Sequence, residues 1–180
     1  EKVILFGYSL MAGYGLPNEQ QLSVVLQNSL KLEGYSIEIM NGSVSGSTSA
    51  GGLNIAEWTL SENNIDLMIL CLGANDMLRG ISPKETKNNL EEIIKITKSK
   101  NIKVIIAGMI SPTSYGFSYK NSFDKIFSDL SKKHKLQLIP FLLEGVAQKP
   151  EFNLSDGMHP NDQGTIIISN TLKKAILENL

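Results

Sequence analysis

Five short apolar runs recur along the chain: Val3 to Phe6, Ile37 to Met40, Leu67 to Leu72, Val104 to Met109 and Leu136 to Ile139. They are nearly continuous in aliphatic residues, as strands covered on both faces should be. The segments between them carry a different period. Leu22, Val25, Leu26, Ser29 and Leu30 share one helical stripe, and Leu90, Ile93, Ile94 and Ile96 to Thr97 make another. Phe123, Ile126, Phe127 and Leu130 make a third stripe; Ile168, Leu172, Ile176 and Leu177 make a fourth. Ser82-Pro83 with Glu85 following reads as an N-cap with proline in the first turn, and Gly34 reads as a helix stop. Strands alternating with helices of this length predict an α/β domain with a parallel sheet. No repeat, low-complexity tract or linker interrupts the pattern, so residues 1–180 read as one domain.

Composition narrows the function classes. The 180 residues are 42% hydrophobic, enough for one substantial core. The formal net charge is -1 and no basic face stands out, which argues against nucleic acid as a partner. The single cysteine, Cys71, lies inside an apolar run and reads as a buried thiol with no disulfide partner. Cysteine usage therefore leaves the compartment open. No apolar run approaches the ~20 residues of a transmembrane helix. The chain starts directly on its first strand, so a removed leader is compatible with the sequence.

In open parallel sheets, ligands bind beyond the carboxyl ends of the strands. The first run passes into Gly7-Tyr8-Ser9-Leu10, which places a serine where a rigid strand can present it. A turn or cap serine is the competing explanation. It is not the nucleophile elbow of α/β-hydrolases, because Met11 stands where that motif has glycine. The second run passes into Asn41 to Ser49, where glycine lets a backbone N–H approach a ligand closely, although a capped loop reads the same way. The third passes into Gly73-Ala74-Asn75-Asp76. The amide of Asn75 can donate to a developing oxyanion, and Asp76 suits a helix cap.

Near the end stands Asp156-Gly157-Met158-His159-Pro160. Of the two histidines, His134 sits in a lysine-rich stretch and reads as a solvated helix residue. His159 has a carboxylate three positions earlier. A serine nucleophile needs a base for its proton and a carboxylate to orient that base.

Taken together, Ser9, Gly46, Asn75 and His159 stand in the order of the four blocks of the SGNH (GDSL-like) hydrolases, and the chain resembles that family over essentially its whole length. Within the family it is most similar to the small bacterial acyl-CoA thioesterase I, lysophospholipase L1 and arylesterase group. Ala12-Gly13-Tyr14-Gly15-Leu16-Pro17, Gly73 to Gly80, Pro140 to Glu144 and Asp156 to Pro160 carry that similarity. The resemblance implies a flavodoxin-like three-layer α/β/α sandwich around a five-stranded parallel sheet. It implies Ser9 as nucleophile, His159 as base and then acid, and Asp156 as orienter. It implies an oxyanion hole from the Ser9 and Gly46 N–H groups and the Asn75 amide. No cofactor and no metal are implied, and the partner is a small-molecule ester or thioester. It also points to the bacterial periplasm or the exterior, with the cytoplasm left open.

One position departs from the pattern. Tyr8 stands where the family has aspartate. A phenol cannot copy the short bond of an Asp side chain to nearby N–H groups, so the loop is expected to be held by packing. This departure keeps alive a catalytically weakened binding module. Leu78, Ile110, Pro112, Tyr115 and Met158 are candidate walls of an apolar acyl groove, and Phe117 lies beside them. Core packing is the alternative for Ile110 and Phe117. Carbohydrate O-deacetylation is the rival chemistry on the same fold. A nucleotide binder using the loop Ser43 to Ser49 is a third reading, but it leaves His159 and Asn75 without a role.

Overall fold

The computed structural model describes residues 1–61 and 64–180. Strands β1 (Lys2–Gly7), β2 (Glu38–Asn41), β3 (Leu67–Cys71), β4 (Lys103–Ala107) and β5 (Gln137–Ile139) form one sheet in the order β2-β1-β3-β4-β5. Every pairing is parallel, with Val3 opposite both Ile39 and Leu67. Apolar side chains cover β3 throughout and nearly all of β1 and β4, as their continuous hydrophobic runs require. The expectation of double cover fails at β2. This strand is an edge, so Glu38 and Asn41 face water and only Ile39 and Met40 lean on the core.

Helices cover the sheet in two groups. Helix α2 (Leu22–Leu32) packs against α7 (Asp162–Leu177). Helix α3 (Ser49–Thr59) packs against α5 (Pro83–Ser99), which packs against α6 (Phe117–His134). The buried stripes follow the helical period: Leu22, Leu26 and Leu30 on α2; Leu90, Ile93, Ile94 and Thr97 on α5. Phe123, Ile126, Phe127 and Leu130 do the same on α6, and Ile168, Leu172 and Ile176 on α7. Val25 and Leu177 sit half-buried on the flanks. The Ser82 hydroxyl accepts the Glu85 N–H at 3.2 Å, which caps α5. Gly34 follows α2 at φ +85°, and Tyr35 N–H reaches back to the Leu30 carbonyl at 3.0 Å.

Two features depart from the sequence reading. Helix α3 carries no large apolar stripe, because its buried residues are Ser49, Gly52 and Ala56. Its backbone lies so close to the sheet that a Cβ on Gly52 would come within 2.3 Å of Leu72 Cδ1. Small residues there are the condition of packing, and they hide the period. His134 is not a solvated residue. It ends α6 with only 14% of its side chain exposed and pairs through Nε2 with Glu91 Oε1 at 2.7 Å. Lys133 meets the same carboxylate, and these two partners hold Glu91 down at about 2.

The strand order positions the site. From β1 the chain moves outward to β2, then crosses back to β3. The loops after β1 and β3 therefore diverge from neighbouring strands, which is where open α/β sheets form their crevice.

Candidate active site

Helix α1 (Ser9–Ala12) begins directly beyond β1, so Ser9 stands at a helix N-terminus in the crevice. The Ser9 N–H has no acceptor among the described residues, because the first N–H groups of a helix have no partner within it. The Ser9 carbonyl accepts from the N–H groups of Gly13 and Tyr14, each at 3.1 Å, which closes the loop on itself. The Ser9 hydroxyl meets His159 Nε2 at 2.9 Å.

His159 arrives from the other end of the chain on a tightly bonded loop. Asp156 Oδ1 accepts the N–H groups of Met158, at 2.9 Å, and His159, at 3.0 Å. Asp156 Oδ2 meets His159 Nδ1 at 2.6 Å. The two backbone bonds, then the imidazole bond, hold the Asp156 carboxyl down at about 2, so it is ionised at neutral pH. An ionised carboxylate can only accept, so Nδ1 carries the proton and Nε2 presents a lone pair to the serine. Leu154 N–H donates to the His159 carbonyl at 2.7 Å, and Gly157 turns the chain at φ +70°.

The loops after β2 and β3 are joined to each other. Gly46 takes φ +78°, and its N–H has no acceptor among the described residues. The Asn75 amide donates one hydrogen to the Ser47 carbonyl at 3.0 Å and keeps its second hydrogen for another acceptor. Arg79 donates to the Gly46 carbonyl at 3.2 Å. Asp76, on the short helix α4 (Ala74–Leu78), is fully buried and is not the cap of that helix, which Gly73 is. Its carboxylate accepts from Ser49 N at 2.7 Å, Ser49 Oγ at 2.5 Å and Thr86 Oγ1 at 2.9 Å. It therefore ties the starts of α3 and α5 to the Asn75 loop. Replacement of Asp76 by alanine strands the Ser49 N–H and hydroxyl and leaves Thr86 only its 3.3 Å bond to the Ser82 carbonyl; it is expected to cost on the order of 3–5 kcal/mol. Thermal unfolding should show a fall in Tm of roughly 6–20 °C.

The five candidate wall residues share the carboxyl end of the sheet. Leu78 ends α4, Ile110 and Pro112 follow β4, Tyr115 closes a 3-10 turn and Met158 lies in the His159 loop. Leu78, Ile110, Tyr115 and Met158 are all exposed, and so is Phe117, so core packing does not explain Ile110 or Phe117. From Tyr115 an aromatic series runs down α6 through Tyr119 and Phe123 to Phe127. Its lower rings lie beneath Gly73, whose φ of +127° opens the Asn75 loop.

Comparison with known proteins shows which family the chain resembles. The model of the GDSL-like lipase/acylhydrolase family matches residues 5–165. An arylesterase of Vibrio mimicus is 34% identical over 180 residues, covering all of this chain and 90% of the relative. The chain belongs to the GDSL-like lipase/acylhydrolase family. Among solved structures, that of TesA superposes with a TM-score of 0.94 at 31% identity, covering all of both chains. That of the psychrotrophic esterase EstA from Pseudoalteromonas sp., inhibited by monoethylphosphonate, gives 0.93 at 28% identity, covering 98% of this chain and 97% of that one. The GDSL-like fold is thus the α/β/α sandwich expected from the resemblance, and no helix among the described residues is long and apolar enough to cross a membrane.

This member of the GDSL-like family lacks the aspartate that the name spells. Tyr8 caps α1 in extended conformation and makes no side-chain bond to the helix. Its ring packs against the core instead. Burial, with the Cys71 thiol beside it, pushes the phenol above its usual range, and burial pushes that thiol up to about 12. Both groups stay neutral across the working pH range, so neither supplies a proton or a nucleophile.

Proposed function

We propose that the chain hydrolyses carboxylic esters and thioesters through an acyl-enzyme on Ser9. The observation that carries this reading is the unbroken line from Asp156 through His159 to the Ser9 hydroxyl, with separations of 2.6 and 2.9 Å. The Ser9 oxygen attacks the substrate carbonyl carbon as its proton passes to His159 Nε2. The new C–O bond sends the carbonyl electron pair onto oxygen, where the Ser9 and Gly46 N–H groups and the free Asn75 hydrogen receive it. Collapse expels the alcohol or thiol, which takes the proton from Nε2. Water then repeats the sequence on the acyl-Ser9 ester and releases the acid.

Leu78, Ile110, Pro112, Tyr115 and Met158 form an apolar wall suited to an acyl or aryl group. Relatives named arylesterase, esterase and thioesterase 1/protease 1/lysophospholipase L1 support aryl esters, thioesters and lysophospholipids as the substrate class, and the family resemblance adds short- to medium-chain acyl esters and acyl-CoA. The family resemblance supports action in the periplasm or outside the cell. The test is a fluorophosphonate probe, with mapping of the modified residue, beside hydrolysis of a nitrophenyl ester series of rising chain length. Labelling at Ser9 and turnover are expected together; labelling elsewhere overturns the assignment.

Asn75 offers a graded check. Asn75→Ala should lower kcat by about 10²- to 10³-fold with a smaller change in KM, as loss of one oxyanion donor does. The same change removes the bond to Ser47, so kcat and Tm are to be measured together. A variant that loses only Tm assigns Asn75 to the loop rather than to the reaction.

A further inference from the structure

Tyr14 belongs to the Ser9 loop, yet the reaction proposed above gives it no part. Its ring lies against the His159 imidazole, with centroids 4.4 Å apart and planes inclined by 37°. That is the spacing of an offset aromatic pair. The surrounding chain is shaped to hold it there. Tyr14 stands between Gly13 and Gly15, at φ +82° and +76°, a region glycine enters without strain. A Cβ on Gly13 would lie 2.5 Å from Gln21 Cγ, and one on Gly15 would lie 2.7 Å from Leu154 Cδ1. Leu154 is the residue whose N–H binds the His159 carbonyl. The loop that begins at the serine thus closes directly onto the loop that carries the histidine.

Neither core formation nor hydrogen bonding accounts for this placement. Tyr14 is 53% exposed, and its hydroxyl has no partner among the described residues. What the ring offers is its face. The other groups at the imidazole are the Asp156 carboxylate at Nδ1 and the Ser9 hydroxyl at Nε2, both in the ring plane's edge positions. During acyl transfer the imidazole becomes a cation, and an aromatic face attracts a cation more than a neutral ring. A contact that strengthens on the way to the transition state raises kcat rather than lowering KM.

We infer that Tyr14 is a positioning residue for His159: its face holds the imidazole in line between Asp156 and Ser9 and stabilises the imidazolium as it forms. The inference rests on His159 being the base. The experiment replaces Tyr14 by leucine, by phenylalanine and by phenylalanines of increasing fluorination, and reads kcat, KM and Tm on a short-chain nitrophenyl ester. Tyr14→Leu should lower kcat by about three- to thirtyfold with KM changed by less than about twofold. Tyr14→Phe should recover most of that loss, since it keeps the ring. Fluorination keeps the ring's shape but drains its face of electron density, so kcat should fall step by step along the series. A flat fluorine series overturns the inference, whatever Tyr14→Leu does to kcat or Tm. Ser9→Ala and His159→Ala separate the two levels of failure. If either keeps full activity, the triad itself is wrong; if both are inactive and the series is flat, only the role of Tyr14 falls.

Discussion

Ser9→Ala is expected to reduce kcat on a short-chain ester by on the order of 10⁴- to 10⁶-fold and to abolish labelling by a fluorophosphonate. The size of the effect follows from the division of labour at the site. The proposed donors at Ser9 N–H, Gly46 and Asn75 survive the change, because the Ser9 contribution is a backbone group. The residual rate then reports what binding and oxyanion stabilisation achieve without a nucleophile. The fold should be indifferent, since the hydroxyl's one side-chain hydrogen bond among the described residues is to His159. A melting temperature within a few degrees of the parent, with activity gone, is the combination expected; retained hydrolysis would falsify the assignment.

Asp156→Asn should cost about 10⁴-fold in kcat while leaving the loop in place. The asparagine oxygen can still accept the N–H groups of Met158 and His159. Its NH₂ group then faces Nδ1 and can only donate. The imidazole must turn its lone pair to Nδ1 and carry its proton on Nε2, where it can no longer take one from Ser9. Acidification tests the same group from the other side. The Asp156 carboxyl is lowered on folding, so its contribution to stability is present above the unfolded value of about 3.9 and is lost as pH falls towards about 2. Activity that disappears between pH 7 and 5 therefore does not come from Asp156. A pH–rate profile beside a pH–stability curve should show activity declining while the fold is still intact.

The α/β class could be read from five aliphatic runs because β1, β3 and β4 are nearly or fully covered and nothing but apolar residues fits there. The same logic failed at β2, where an edge tolerates Glu38 and Asn41, and at α3, where close approach to the sheet selects Ser49, Gly52 and Ala56 over anything large. The places of Ser9, Gly46, Asn75 and His159 beyond the carboxyl ends of the strands were legible because each follows a strand or a marked turn. Asp76 was not legible as a buried hub, because its partners Ser49 and Thr86 are brought to it by other helices. Tyr14 left one signal, a pair of flanking glycines, but the sequence does not say which ring it meets. The Glu91–His134 pair left none, since it spans 43 positions between two helices.

The two contacts of the proposed proton path differ in kind. Asp156 and His159 are three positions apart and travel together as one local unit; Ser9 and His159 are separated by 150. The first contact can persist through any motion that leaves a four-residue turn intact. The second exists only while the opening strand and the closing segment of the polypeptide are docked. Displacement of the 154–160 loop alone, with the rest of the core intact, is enough to part them. On the proposed mechanism, ester hydrolysis is therefore a gauge of how firmly β1 and the His159 loop stay docked.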